Sequence, residues 1–240
     1  ENTPYYWRSR VYDGELYSNW VSAAFFVNTT NSAPTKPVIN SPLNGIEVAT
    51  LNPALTVTNA TDVDRESLHY VFELDTVNTF NSSNKQKSGL LAEGAGTTSW
   101  TPAALTENTM YYWRVKANDG QSDSPTWMTT ASFFVNTVHE APSVPPLNNP
   151  ANNGHVTVLT PALMLNAATD PDNDTLTYDY EVYSDIGLTS LVTSTTGAGT
   201  SWTVNSSLSD YTWYWWRARS KDAHGETSGW MAANKFFVNI

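Results

Sequence analysis

Alternating apolar and polar positions mark the segments of this chain that we expect to form strands. In residues 68–74 (LHYVFEL) every second residue is apolar, and in residues 111–117 (YYWRVKA) the side chains of Tyr111, Trp113 and Val115 share one face. A period of two is typical of a β-strand with one buried face. No segment carries a helical apolar stripe for more than a turn or two. The pattern therefore predicts an all-β protein with a buried inner face.

The same pattern recurs along the chain. Residues 52–74 match residues 160–182 at an offset of 108. Two short motifs each occur three times: FFVN at 25–28, 133–136 and 236–239, and YYWR or WYWWR at 5–8, 111–114 and 213–217. A period of about 105 residues is far longer than a solenoid repeat and fits a complete β-sandwich.

The repeats divide the chain into domains and linkers. We expect complete domains at residues 37–136 and 145–240, and the last two strands of a third domain at residues 1–28. Short linkers at residues 29–36 and 137–144 contain proline, which stiffens a connector and predicts a semi-rigid rod.

Composition excludes several function classes. The formal net charge of −11 argues against nucleic acid or an anionic membrane as a partner. The chain has no cysteine, so disulfides and thiolate metal sites are excluded, and no apolar run is long enough to span a bilayer. We find no catalytic constellation, and His224, between Asp222 and Glu226 in a predicted loop, is expected to be an ordinary solvated histidine. The protein is therefore predicted not to be an enzyme.

Two longer segments carry a resemblance to a known family. In LTENTMYYWRVKANDG a leucine, Leu105, stands six residues before Tyr111, and in LSDYTWYWWRARSKDAHG Leu208 stands six residues before Tyr214. Both segments resemble the penultimate strand of fibronectin type III domains, including the tyrosine corner, in which the tyrosine hydroxyl bonds to upstream backbone. The resemblance extends over both complete repeats and the leading fragment. It implies tandem seven-stranded β-sandwiches, preceded by the last two strands of another.

The chain departs from this family at one core position. The tryptophan usual on the second strand is absent from ALTVTNA (54–60) and ALMLNAA (162–168). We expect Trp100 and Trp202, on what should be the strand before the penultimate one, to fill that volume.

An acidic loop, ATDPDNDTLTY, is the strongest candidate site. Asp170, Asp172 and Asp174 alternate in it, and such a loop can surround a calcium ion with oxygens. The resemblance implies that this loop lies where the chain enters the sandwich, near Glu140 and near the loop that holds Asp222. A calcium ion there would stiffen the joint between domains. The other interpretation, which we favour slightly, is that these residues only form Asx turns in a solvated loop.

The first repeat has a modified version of this loop. It keeps Asp62 and Asp64, has Arg65 next, and moves the third acid to Glu66. Here we expect the arginine to take the place of the cation, so that the solvated-loop alternative is favoured.

Outward-facing side chains of the penultimate strands form a second candidate site. Tyr112 and Arg114 should point outward, with Glu73 opposite on the neighbouring strand, and the second repeat has Trp215, Arg217 and Glu181 at these positions. An ion-pair ladder with the aromatic ring stacked on the guanidinium is one expectation. The alternative is a sugar-binding face, for which the last repeat, with Trp213 as well, is the better candidate.

The leading fragment offers a third candidate. Its hairpin carries Tyr5, Trp7, Phe25 and Val27, which need burial, and an isolated hairpin is marginally stable in water. Either the parent protein continues upstream, which we favour, or another chain supplies the missing strands and makes the fragment an assembly device.

These features together predict a structural role. We expect tandem modules of a larger bacterial extracellular or cell-surface protein, acting in spacing, adhesion or assembly, with self-assembly or neighbouring protein domains as partners. The alternative is a carbohydrate-binding accessory region of a secreted polysaccharide-degrading enzyme.

Overall fold

The computed structural model describes residues 1–240 and contains strands but no helices. The all-β prediction is therefore confirmed. The chain forms two compact units, Glu1–Thr137 and Val138–Ile240. It has no helix of the length and apolarity needed to cross a membrane.

Unit 1 begins with a hairpin of two antiparallel strands, β1 (Thr3–Ser9) and β2 (Val21–Val27). Its register places Tyr5 opposite Phe25. The tyrosine and phenylalanine rings are stacked with their centroids 5.6 Å apart. No other strand of the chain pairs with this hairpin.

The sandwich of unit 1 follows the hairpin. Its strands are β3 (Val38–Ser41), β4 (Ile46–Val48), β5 (Leu55–Thr58), β6 (His69–Asp75), β7 (Gln86–Lys87), β8 (Leu91–Ala92), β9 (Thr97–Trp100), β10 (Thr109–Asn118) and β11 (Ala131–Val135). One sheet has the order β3-β5-β9, and the other has the order β4-β11-β10-β6-β7, with β8 also paired to β6. The first strand is thus divided between the two sheets as β3 and β4, and the edge strand is divided into β7 and β8. This gives the expected seven-stranded fibronectin type III-like arrangement.

Unit 2 repeats this arrangement. Its strands are β12 (Leu147–Asn149), β13 (Gly154–Val156), β14 (Ala162–Leu165), β15 (Thr177–Tyr183), β16 (Leu191–Ala198), β17 (Ser201–Thr203), β18 (Thr212–Lys221) and β19 (Asn234–Val238). The sheets have the orders β12-β14-β17 and β13-β19-β18-β15-β16. The edge strand β16 is continuous here, although two register shifts interrupt its pairing with β15.

The core of each sandwich lies between its two sheets. Alternate residues of β10 are buried, and Trp113 and Phe72 stack in the centre with no exposed surface. Full burial of an apolar side chain of this size stabilises a fold by about 2–3 kcal/mol. Trp100 on β9 packs against Phe72 from the opposite sheet, with ring centroids 6.1 Å apart. Trp202 packs in the same way in unit 2.

Tyrosine corners fix the start of both penultimate strands. The backbone N–H of Thr106 donates to the Tyr111 hydroxyl at 3.0 Å, and the N–H of Ser209 donates to the Tyr214 hydroxyl at 2.9 Å. The prediction made from the leucine–tyrosine spacing is confirmed in both units.

The hairpin shares its register with the last two strands of each sandwich. Tyr111 lies opposite Phe133 just as Tyr5 lies opposite Phe25. The Tyr5 and Trp7 side chains are each 49% exposed, Phe25 is 53% exposed, and Val27 is partly buried. This apolar face remains accessible in the single chain, so completion of the hairpin by upstream residues or by another chain stays a prediction.

Candidate cation sites at the entry of each sandwich

Acidic loops connect β5 to β6 in unit 1 and β14 to β15 in unit 2. A buried tyrosine holds the start of each loop, because the Ala60 N–H donates to the Tyr70 hydroxyl at 2.9 Å and the Ala168 N–H donates to the Tyr178 hydroxyl at 3.0 Å. Sequence reasoning did not anticipate these bonds. The sequence feature that could have predicted these bonds is the tyrosine, Tyr70 or Tyr178, that occurs at the same place in both repeats.

Asx turns shape the two loops. Asp62 Oδ1 accepts the N–H of Asp64 at 2.7 Å, and Asp170 Oδ1 accepts the N–H of Asp172 at 2.9 Å. The residue after the second aspartate has left-handed backbone, with φ of 64° at Arg65 and 62° at the equivalent Asn173. The turns expected of a solvated loop are therefore present. Each turn uses only one carboxylate oxygen of the first aspartate, and the other oxygen of that carboxylate has no hydrogen-bond donor.

Three carboxylates converge in the unit 1 loop. One oxygen from each of Asp62, Asp64 and Glu66 lies within 4.8 Å of the other two. Asp62 Oδ2, Asp64 Oδ1 and Glu66 Oε2 are all buried and have no hydrogen-bond donor.

Two further segments adjoin the unit 1 cluster. Asp119, from the loop between β10 and β11, accepts the Asn31 side-chain N–H on Oδ2 at 3.0 Å. Asn31 precedes the sandwich, and its own Oδ1 is buried without a donor. The next residue, Ser32, donates its N–H to Asp64 Oδ2 at 2.5 Å. The entry segment is thus tied to both loops at this end of the sandwich.

No basic side chain neutralises the unit 1 cluster. The pKa of Glu66 is raised by loss of hydration and, after that, by the negative charges of Asp119, Asp62 and Asp64. The Arg65 guanidinium lies over the Phe26 ring, 4.5 Å from its centroid, and forms no ion pair. The expectation that Arg65 replaces a cation is therefore wrong. The partly buried Phe26 ring of the hairpin gives the guanidinium a stacking partner in place of the carboxylates.

The carboxylates of the unit 2 loop converge in the same way. One oxygen from each of Asp170, Asp172 and Asp174 lies within 4.8 Å of the other two. Asp170 Oδ2, Asp172 Oδ1 and Asp222 Oδ2 are buried and have no donor. Glu140 contacts the cluster by donating its backbone N–H to Asp172 Oδ2 at 2.9 Å.

Two histidines distinguish unit 2 from unit 1. His139 occupies the position of Asn31, and His224 follows Asp222 by two residues. The two imidazole rings stack with centroids 3.6 Å apart, and His224 Nδ1 is hydrogen-bonded to Asp174 Oδ2 at 2.8 Å. The His224 side chain is exposed, as expected, but it also occupies one oxygen of the predicted site.

The outward faces of β6 and β10 form an ion-pair ladder. Glu73 lies opposite Arg114, with Oε2 2.7 Å from Arg114 Nη2, and Lys85 Nζ is 2.7 Å from Oε1 of the same carboxylate. The aromatic rings on the Arg114 guanidinium are Phe80 and Trp127, at 4.0 and 4.3 Å. The neighbouring Tyr112 does not stack on it.

Unit 2 has an equivalent ladder. Glu181 Oε2 is 2.7 Å from Arg217 Nε, and the Trp230 ring lies 4.4 Å from the guanidinium, whereas the expected Trp215 does not stack on it. Trp213 does not belong to this ladder: its ring packs against Phe237 and lies 4.6 Å from Lys235 Nζ. The expected stacking partners, Tyr112 and Trp215, are therefore wrong: each lies on the same strand face as its arginine, but rings from outside the strand cover the guanidinium instead. Trp127 and Trp230 stand 103 residues apart, and that spacing was the missed signal.

Comparisons with known proteins add little to this geometry. No family model matches the chain, and no curated protein matches it. The chain is similar to a solved structure of the chicken CNTN1 FN1-FN3 domains, with a TM-score of 0.32 and 13% identity, over 99% of this chain and 78% of that one. The chain's own strand order shows its fold: two fibronectin type III-like sandwiches.

Proposed function

We propose that the chain is a run of non-enzymatic spacer modules from a larger extracellular or cell-surface protein. The observation that carries this proposal is the way each sandwich holds the segment that leads into it. In unit 1 the N–H of Thr35 donates to the Thr61 carbonyl at 2.9 Å, and in unit 2 the N–H of Ser143 donates to the Thr169 carbonyl at 2.8 Å. A connector that is hydrogen-bonded to its domain enters that domain in a fixed direction, as a spacer requires, whereas a free connector does not.

The ladders on the central sheets support the same role. The charged groups of Glu73, Arg114 and Lys85 are satisfied by one another, and aromatic rings cover the arginine. Unit 2 pairs Glu181 with Arg217 in the same way. A repeated, internally satisfied surface is typical of a scaffold.

Single-molecule pulling on the whole chain tests the proposal. We expect two separate unfolding events, each releasing roughly 30 nm of contour length, because about 100 residues at 3.3–3.6 Å each are extended in each event. Extension of the chain without force peaks would contradict a load-bearing role.

Carbohydrate binding, the sequence-based alternative, is tested separately. A glycan array probed with the whole chain and with Trp215→Ala would support it if binding is present and is lost in the variant. Arg217 and Trp230 already stack on each other, so we expect no glycan binding at this face.

A further inference from the structure

We propose that each sandwich binds one calcium ion where its entry segment meets the acidic loop. The site in unit 1 comprises Asn31, Asp62, Asp64, Glu66 and Asp119, and the site in unit 2 comprises Asp170, Asp172, Asp174 and Asp222. Calcium binding is independent of the spacer role, and either proposal can fail alone.

Buried oxygens without donors are the first observation that carries the proposal. Asp64 is 6% exposed and Asp172 is 5% exposed, and Oδ1 of each has no hydrogen-bond partner. A buried carboxylate oxygen without a donor is costly, and buried charges are normally paired or coordinate a metal. In both units the other oxygen of this aspartate accepts a backbone N–H, from Ser32 or Glu140. That bond holds the carboxylate inside the cluster.

The spacing of the oxygens is the second observation. Calcium binds oxygen at 2.3–2.6 Å, so two oxygens on opposite sides of one ion are about 4.6–5.2 Å apart. The three carboxylates of each loop place oxygens within 4.8 Å of one another. Magnesium–oxygen distances of about 2.0–2.1 Å require a tighter octahedral shell.

The two units differ in how many oxygens remain for the ion. In unit 1, Asn31 donates its side-chain N–H groups to Asp119 and Ser122, and this leaves its amide oxygen as a further buried acceptor. In unit 2, His139 stands at that position and His224 occupies an oxygen of Asp174. Neutral oxygen and carboxylate ligands suit calcium, a hard cation, better than imidazole does. We therefore assign the tighter calcium site to unit 1.

Calorimetric titration of the whole chain with calcium chloride, after chelator treatment and at 0.15 M NaCl, tests the proposal. We expect two sites with dissociation constants on the order of 10⁻⁴–10⁻³ M, the range of extracellular modules. At ten times the dissociation constant, the midpoint of thermal unfolding should rise by roughly 5–10 °C. Magnesium chloride at the same concentration should produce a much smaller shift.

Three variants assign the sites. Asp64→Asn should abolish the tighter site and Asp172→Asn the weaker one, whereas Glu47→Gln, an equal charge change on the exposed strand β4, should keep both. Without calcium, Asp64→Asn should unfold at or above the wild-type midpoint, because it relieves repulsion among four acids and its amide can donate to a neighbouring carboxylate. This result separates loss of a ligand from loss of the fold.

Three outcomes would overturn the proposal. The first is no heat and no shift of the unfolding midpoint at 10 mM calcium, a concentration about ten times the weakest expected constant. The second is an equal response to magnesium, which would indicate general screening of an acidic protein. The third is an unchanged titration of Asp64→Asn and Asp172→Asn.

Discussion

Replacement of Glu73 by glutamine tests how much the buried ladder contributes to unit 1. The Glu73 carboxylate is 6% exposed and accepts from Arg114 Nη2 at 2.7 Å, Arg114 Nε at 3.0 Å and Lys85 Nζ at 2.7 Å. Hydrogen bonds to charged groups contribute about 1.5–3 kcal/mol, and glutamine keeps a neutral acceptor of the same shape. We therefore expect Glu73→Gln to lower the free energy of unfolding of unit 1 by about 2 kcal/mol.

Unit 2 supplies a matched control for this change. The equivalent carboxylate, Glu181, is 23% exposed and has one basic partner, Arg217. Solvent screens this pair more strongly, so Glu181→Gln should cost about 1 kcal/mol or less. Hydrogen exchange of peptides from β6, β10, β15 and β18 in the whole chain reports each unit separately. Losses of equal size in the two units, or a loss below about 0.5 kcal/mol in unit 1, would refute the reasoning.

The pH dependence of this difference provides a second check. Burial, the largest single influence, acts to raise the pKa of Glu73, but the hydrogen bonds and charges of Lys85 and Arg114 together bring it below its ordinary value of 4.5. A depressed folded-state pKa adds stability that is present above the unfolded value and is lost as the pH falls through the folded value. The advantage of the wild type over Glu73→Gln should be complete at neutral pH and shrink below about pH 4.5. A constant difference down to pH 3 would contradict this origin.

Two further substitutions test the tyrosine corner and the Trp127–Arg114 contact of unit 1 by thermal unfolding of the whole chain. Tyr111→Phe removes the acceptor for the Thr106 N–H and should lower the midpoint of unit 1 by roughly 4–8 °C, since such a bond contributes about 1 kcal/mol; Tyr112→Phe, the adjacent control, should change it little. Trp127→Ala removes a ring that lies 4.3 Å from the Arg114 guanidinium and should cost about 1–2 kcal/mol. An undisturbed midpoint in either case would show that the contact is not stabilising.

The all-β fold was predictable because the pattern that produces its strands is local. The alternation within each strand is enough to predict that Trp113 and Phe72 are buried. The spacing of Leu105 and Tyr111 is enough to predict the tyrosine corner. The division of the first strand between two sheets was not predictable in this way. Its first half, β3, pairs with the nearby strand β5, whereas its second half, β4, pairs with β11 at the far end of the sandwich sequence.

The candidate sites were predictable only in part, because their members come from separate segments. Alternating acids mark the loop at Asp62 and Asp170, but nothing local indicates that Asn31 reaches Asp119 across 88 residues. The direction of Arg65 was also beyond sequence reasoning, because a charge in a loop can stack on a ring as readily as it can pair with an acid. The contact of Trp127 with Arg114 was not predicted either, because a tryptophan outside an alternating segment gives no indication in the sequence of which side chain it contacts.

The two acidic loops act as internal controls for each other, and their comparison favours a ligand over simple solvation. A loop that serves only to be soluble should expose its carboxylates, yet Asp64 and Asp172 are both buried. The flanking side chains differ, with arginine at position 65 and asparagine at 173, and the residues that precede the sandwiches differ too. In both units, nevertheless, the first two aspartates of the loop keep one buried oxygen each without a donor. If hydration alone determined the geometry, these carboxylates would rotate toward water and away from one another. The backbone N–H groups of Ser32 and Glu140 oppose that rotation, so the entry segments themselves keep the oxygens facing inward, where a cation can bind them.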